Sequence, residues 1–522
     1  MLGLFLTAGG VMAARAAAGS DKGGGACSSA IGCQLNGHCV GGACQCAAAW
    51  TGPTCAVLDV LPAARNAGLY TATSDRSSWG NSVRWDPGSE RWWMAADEMA
   101  EHCGLQTWMT NGRCVMATAG EDDVGAAPCA APDADPAACT DRHSPPERPD
   151  GPYTVNYTLL DPWCEGSVLE RDPISGRWLH GHMGGGTSGD PAATAPYQPY
   201  NNPGCVSCSS GVTPNASCGK NATHHVCPHT EVPVEWRNCS GPNNTNCSRC
   251  RPGSHCSGLS GALLPPQYLY YGSGAALIAP SPQGPWESAN NLTFGMGANC
   301  QPFFLRNGTL FLQCGGTFKD PEFTPAKQAR GCIRNLEAVS AISRAETLEH
   351  ALRGEWTFKS RNPILRFIDP SVANTTCVRW EDNYMWVDER GNFHQMTHAF
   401  CGGVTDYPLP GISRGANNSV VCNDAPAGFL GCVAYGGHAF SEDGHTWYIS
   451  PIAPYTNEIS YADGSAVAVR ARERPHLIFN DITGVPTHLC NGVGNPGLGM
   501  NVGVPGADHT FVQCVPLRTP GQ

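Results

Sequence analysis

Three glutamates, Glu165, Glu381 and Glu473, each open an apolar run that ends in a turn, and in two of the three the following residue is charged, Asp382 and Arg474. Carboxylates held close together divide acid and base work, because mutual repulsion raises one pKa and leaves its neighbour ionised. Cleavage of a glycosidic bond needs that division: a raised-pKa carboxyl protonates the leaving oxygen, and a second carboxylate is base or nucleophile. A guanidinium, Arg472 or Arg474, would hold one of them ionised. Glu98 is a further candidate acid. Trp79, Trp108, Tyr384 and Trp386 are able to stack on sugar faces, and Asn81, His102, His182, His398 and His438 supply hydrogen bonds. His394 and His398 have the same parity along one run, so as strand residues they face the same side. The alternative assignment is structural: Glu and Asp at strand starts also cap backbone amides, and buried histidines also fill polar channels in the neutral form.

These residues recur because the segment that carries them recurs. Five copies run from a polar stretch into an apolar strand, a tight turn and a second strand: Gly80 to Trp85 before Asp86-Pro87-Gly88, Glu165 to Leu169 before Asp172 to Gly176, Cys300 to Leu305 before Asn307-Gly308, Glu381 to Trp386 before Asp388 to Gly391, and Glu473 to Phe479 before Asn480 to Gly484. Asx-initiated and glycine-containing turns between apolar runs are hairpin signals. Four copies are followed by an outer strand, Ser or Thr, and a Gly-x-aromatic turn, at Gly151-Pro152-Tyr153, Gly284-Pro285-Trp286, Gly354-Glu355-Trp356 and Asp443 to Trp447. Long repeats of several short strands predict an all-β chain, a five-bladed β-propeller over residues 58–517 with four strands per blade. Aligning the turns places Glu165, Glu381 and Glu473 at one rim position, with Gly80, Gly166, Asp382 and Arg474 at the next. The fifth copy lacks the closing turn, so Thr510 to Val515 is expected as its outer strand, and the one helix is expected around Arg344 to Leu352. A sandwich of unrelated hairpins is the competing fold.

The chain holds 28 cysteines, which excludes a reducing cytosol. Ten Asn-x-Ser/Thr sequons agree, at Asn156, Asn215, Asn221, Asn238, Asn243, Asn246, Asn291, Asn307, Asn374 and Asn417. Residues 1–19 read as a signal peptide that ends in small residues, too short and interrupted by Arg15 to span a bilayer, so a secreted chain without a membrane span is expected. A net charge of −12 argues against nucleic acid as partner. The insertion at about 184–266 carries eight cysteines and several histidines. In an extracellular, sequon-dense loop that set favours four disulfides, with zinc the alternative. A shorter insertion at about 121–150 holds Cys129 and Cys139, an expected local pair.

Two resemblances complete the reading. Residues 27–55, with six cysteines ending in Cys46-x8-Cys55, look like an EGF-like module. The resemblance implies the pairs Cys27–Cys39, Cys33–Cys44 and Cys46–Cys55, no bound calcium in the module, and a spacer or a surface for a protein partner. Ala49 stands where that family carries glycine. Leu58 to Leu517 resembles the five-bladed propellers related to glycoside hydrolase family 43, the arabinanase, levansucrase and invertase type, through Ser78-Trp79-Gly80, Glu98-Met99, Glu381-Asp382-x-Tyr384-x-Trp386, His394, His398, Gly436 to Ser441 and Arg472 to His476. That likeness implies a carboxylate-lined central funnel acting on or binding a polysaccharide or a glycoprotein glycan. Glu381 would be the acid and Asp382 or Glu473 the assisting carboxylate, with no cofactor beyond a central calcium near the histidines. Blade 1 departs from the pattern, having Trp79-Gly80-Asn81 where an aspartate is expected; Asp75, Asp97 and Glu98 are the carboxylates nearby. The departure keeps a non-catalytic glycan-binding or adhesion protein as the alternative.

Overall fold

The computed structural model describes residues 23–99, 105, 112–119, 149–160, 164–183, 274–289, 298–315, 339–363, 380–399, 412–414, 420–422, 435–450, 452–469, 471–481, 483–494 and 509–519. They are almost all strand, with one short α-helix, α1 (Leu348–Leu352), capped by Thr347. The N-terminal module is a three-stranded sheet of β1 (Gly23–Ala26), β2 (Gly37–Val40) and β3 (Ala43–Cys46), followed by the hairpin of β4 (Trp50–Thr51) and β5 (Val57–Leu58). Disulfides Cys27–Cys39, Cys33–Cys44 and Cys46–Cys55 close it, the EGF-like pairing. Ala49 takes φ +68°, which explains why glycine suits that position.

After β6 (Gly68–Leu69) the strand order reads as antiparallel units of four. The first is β7 (Ser77–Asp86), β8 (Arg91–Met99), β9 (Gly112–Ala119) and β10 (Tyr153–Leu160); the second is β11 (Glu165–Arg171), β12 (Trp178–Met183), β13 (Gly274–Ala279) and β14 (Glu287–Ser288). The third is β15 (Ala298–Phe304), β16 (Leu310–Gly315), β17 (Val339–Ala345) and β18 (Phe358–Pro363). In the fourth, β19 (Trp380–Val387) and β20 (Phe393–Ala399) are followed by a side hairpin, β21 (Ile412–Arg414) and β22 (Val420–Cys422), before β23 (Tyr435–Ser441) and β24 (Tyr448–Ile449). A small hairpin, β25 (Glu458–Ser460) and β26 (Ala466–Ala468), leads to β27 (Arg472–Phe479), β28 (Pro486–Gly494) and β29 (Thr510–Pro516). Successive inner strands β7, β11, β15, β19 and β27 are neighbours, and β27 returns to β7, so the units close into a propeller ring.

Thr510 to Val515 is an outer strand of its unit, as expected, and the fourth position is taken by β6 from the other end of the chain. Leu69 pairs antiparallel with Val512 and parallel with Tyr153, so two residues join the last unit to the first. Only glycine fits at Gly68 (φ +106°), where a Cβ would lie 2.1 Å from the Val512 carbonyl oxygen.

All five inner turns use the expected chemistry. The side chains of Asp86, Asp172, Asn307, Asp388 and Asn480 accept from backbone N–H groups two to four residues on, at 2.8–3.1 Å. Apolar side chains fill the spaces between units, as with Phe303, Phe311, Met385 and Trp447 between the third and fourth. The EGF-like module is no loose spacer. Its Trp50, Cys33 and Cys55 join Tyr384, Trp386, Leu477 and Leu489 in one core at the seam of the last two units. Arg390 donates to the carbonyls of Gly37 and Leu35, and the Leu58 amide donates to Pro454.

Candidate functional site

Each inner hairpin breaks register near the start of its inner strand, between Trp79 and Asn81, Glu165 and Val168, Ala298 and Gln301, Glu381 and Tyr384, and Glu473 and His476. A bulge of this kind re-aims side chains. In four of the five it holds a left-handed residue: Gly80 (φ +69°), Gly166 (+71°), Asp382 (+54°) and Arg474 (+48°). Glycine takes that conformation freely, whereas a side chain costs about 1–2 kcal/mol there. At Asp382 and Arg474 the cost is offset by an ion pair, Arg474 Nε to Asp382 Oδ2 at 3.4 Å.

Arg474 is the centre of the site. Its Nη1 lies 3.5 Å from Asp97 Oδ2 and its Nη2 3.5 Å from Glu165 Oε2, so three carboxylates from three units surround one guanidinium. A Cβ on Gly80 would meet both Arg474 Cδ and Asp97 Oδ2 at 2.9 Å, so the bare glycine is what admits the arginine. Asp97 also accepts from the amides of Gly166 (2.8 Å) and Ser167 (3.0 Å). Burial nonetheless raises its pKa, opposed by Arg474 and those amides. The four surrounding carboxylates raise the pKa of Arg474 itself and keep it charged. On the fourth unit, His398 Nδ1 lies 3.2 Å from Asp382, and its Nε2 lies 3.8 Å from Glu473 Oε2. Exposure grades outward: the side chains of Asp97 and Glu165 are 0% and 2% exposed, against 14% for Arg474 and 16% for Glu473.

The sequence-derived candidates therefore divide. Asp382, Glu473, Glu165, His398 and Arg474 converge. Asp97 supplies the first unit's carboxylate from the second strand, and the sequence offered it only as one of three substitutes. Its neighbour Glu98 has opposite parity on β8 and is turned to Tyr70, Arg76 and Arg113, away from the cluster. Arg472 is also elsewhere: it bonds Asn491, Thr456 and Glu458 over the Tyr455 ring, and burial lowers its pKa to about 10. The side chain of Glu381, and all of His102 and Trp108, lie outside the described residues.

The expected sugar platform is not formed by the three described aromatics. Trp79, Tyr384 and Trp386 are buried, because inner-strand side chains at these positions fill the gaps between units. Trp79 packs on Gly492, and Trp386 stacks on His394 with centroids 4.9 Å apart. His438 is likewise drawn to the module seam, 3.3 Å from His394 and 5.3 Å from the Trp50 ring. His182 stacks on His180 at 5.6 Å, and burial holds its pKa down to about 4. The Asn81 amide is buried and neither of its polar atoms meets a partner among the described residues. Asp382, His398 and Glu473 place ligand atoms within 4.8 Å of one another. That trio does not fit the expected calcium, which takes six to eight oxygens. One donor is an imidazole nitrogen, and Arg474 already claims the Asp382 oxygen.

No family model matches the chain, and no curated protein matches it. Solved structures similar to it include a thermostable family-43 glycoside hydrolase (9% identity, TM-score 0.34, covering 86% of this chain and 94% of that one). Another is a family 117 glycoside hydrolase of Zobellia galactanivorans (8%, TM-score 0.36, 86% and 87%). A third is an endo-arabinase from Bacteroides thetaiotaomicron (7%, TM-score 0.35, 89% and 98%).

Proposed function

We propose that the protein is a secreted, carbohydrate-active propeller that works on a polysaccharide or glycoprotein glycan through the carboxylates around Arg474. The observation that carries this reading is the convergence of Asp97, Glu165, Asp382 and Glu473 on one end of the ring axis with a single guanidinium among them. Asp382, paired with Arg474 and His398, is suited to act as base or nucleophile. Glu473, the most exposed of the four, and Glu381, its equivalent on β19, are the candidate acids. Five disulfides among the described residues, and no described helix long and apolar enough to cross a membrane, support an extracellular setting.

One observation favours binding without cleavage. Asp97 and Glu165 are closed off beneath Arg474, so as packed they touch no substrate. Hydrolysis of a panel of plant and algal polysaccharides separates the two readings. Cleavage by wild type that is lost in Glu473→Gln or Glu381→Gln identifies a glycosidase. No cleavage across the panel, with glycan-array binding retained, leaves a lectin-like propeller, and absence of both refutes the carbohydrate reading.

A further inference from the structure

The alternation along β8 builds a second polar centre. Asp97 faces the axis, whereas Glu98 faces the ring closure and is clasped there by three donors: Tyr70 Oη at 2.6 Å, Arg76 Nη1 at 3.2 Å and Arg113 Nε at 2.8 Å. Tyr70, directly after β6, has φ +64°, a conformation side-chain-bearing residues rarely adopt. Its hydroxyl bond to the buried Glu98 holds it there, and burial with the nearby negative charge raises the phenol pKa, so the group remains a donor. Strained residues of this kind gather at ligand clamps. Beside the clasp lies an open cavity of about 420 Å³, within the range of ligand sites. Its walls include Tyr70, Thr71, Ser74, Asp75, Arg76 and Thr154. Glu98 anchors one arm of the Arg76 guanidinium and so fixes its orientation at the cavity edge. Adjacent Asp75 balances its charge, and the hydroxyls both donate and accept. A concavity with a carboxylate, a guanidinium and hydroxyls but no excess charge matches the vicinal hydroxyls of an uncharged sugar.

We infer that this cavity is a second saccharide-binding site, for neutral hydroxyl-rich sugar residues, distinct from the axial cluster. It rests on the carbohydrate reading for its ligand class alone. The test is calorimetric titration of the full chain with xylobiose, cellobiose and maltose, with digalacturonate as the anionic comparator. The titration is repeated in Arg76→Ala, Asp75→Asn and Glu473→Gln. We expect a neutral disaccharide to bind, to weaken about tenfold or more in Arg76→Ala and Asp75→Asn, and to be unchanged in Glu473→Gln. Should Arg76→Ala fail to melt like wild type, the exposed, isosteric Asp75→Asn decides. Binding lost only in Glu473→Gln would put the sugar on the axis and overturn this inference while sustaining the axial reading. Binding by none of the neutral probes, or preference for the uronate, would overturn it directly. Cavity binding without any axial cleavage would refute only the glycosidase reading.

Discussion

Replacing Arg474 by methionine tests whether the guanidinium is the counter-ion that allows buried carboxylates to share one end of the axis. The change keeps the stem and removes a charge whose three nitrogens lie 3.4–3.5 Å from Asp382, Asp97 and Glu165. Removing one partner of a buried ion pair costs about 3–5 kcal/mol, and here one deletion removes the cation shared by three carboxylates. The cost has a pH signature. Burial already raises the folded-state pKa of Asp97, and without Arg474 it rises further. A carboxyl whose folded pKa lies above its unfolded value binds protons preferentially in the folded state. Its penalty is absent below the unfolded value, about 4, and grows as pH rises through the folded value. Urea midpoints of wild type and Arg474→Met, followed by tryptophan fluorescence at about pH 5 and about pH 8, should therefore separate more widely at the higher pH. A deficit under about 1 kcal/mol, or one independent of pH, would refute the counter-ion role.

Gly80→Ala sets a Cβ 2.9 Å from both Arg474 Cδ and Asp97 Oδ2 at φ +69°. It should cost about 2–4 kcal/mol in urea unfolding and lower carbohydrate turnover or binding together with stability, whereas an unchanged midpoint would contradict the close approach. Arg390→Ala removes two bonds to module carbonyls and should cost about 1–3 kcal/mol, while making the junction between module and propeller more sensitive to limited proteolysis; unchanged cleavage would show that the shared core and the Leu58 bond secure the seam without it. His182 is held neutral by burial, with its pKa down at about 4, so it stabilises the fold above about pH 6.5 and loses that contribution as pH falls. Between about pH 7 and about pH 4, His182→Gln should lose about 3 kcal/mol less stability than wild type, and parallel profiles would refute the assignment.

What was legible in the sequence depended on whether the physical signal is local. The five inner hairpins were legible because Asp or Asn at each turn bonds its own backbone a few residues on, and that chemistry is written in consecutive residues. The EGF-like pairing was legible only as what the resemblance to that family implies, since six cysteines alone leave the connectivity open. β6 was not, since two residues carry no periodicity and their pairing with Val512 is decided about 440 residues away in sequence. Nor was the division between Asp97 and Glu98. Both lie in one run, and strand alternation says only that they part, not which one meets Arg474. Trp79, Tyr384 and Trp386 read in the sequence as a sugar platform because aromatics suit both roles. Propeller units must bury large side chains between their faces, and that demand claimed them here.

The left-handed bulge position then accounts for the asymmetry of the axial cluster. Every unit brings a strand start to the axis, but what enters depends on the residue at the bulge. The bare Gly80 clears space that the Arg474 stem fills from the adjacent last unit. One long side chain therefore reaches carboxylates of the first, second and fourth units. Among the described residues the result is four carboxylates against one guanidinium and one imidazole, an acidic end to the axis. Such an end accepts hydrogen bonds from hydroxyl groups and repels sulfated or uronic chains. On the proposed carbohydrate reading, a glycan that met the axis would be uncharged, the same chemistry that we infer for the balanced Asp75 and Arg76 pair at the ring closure.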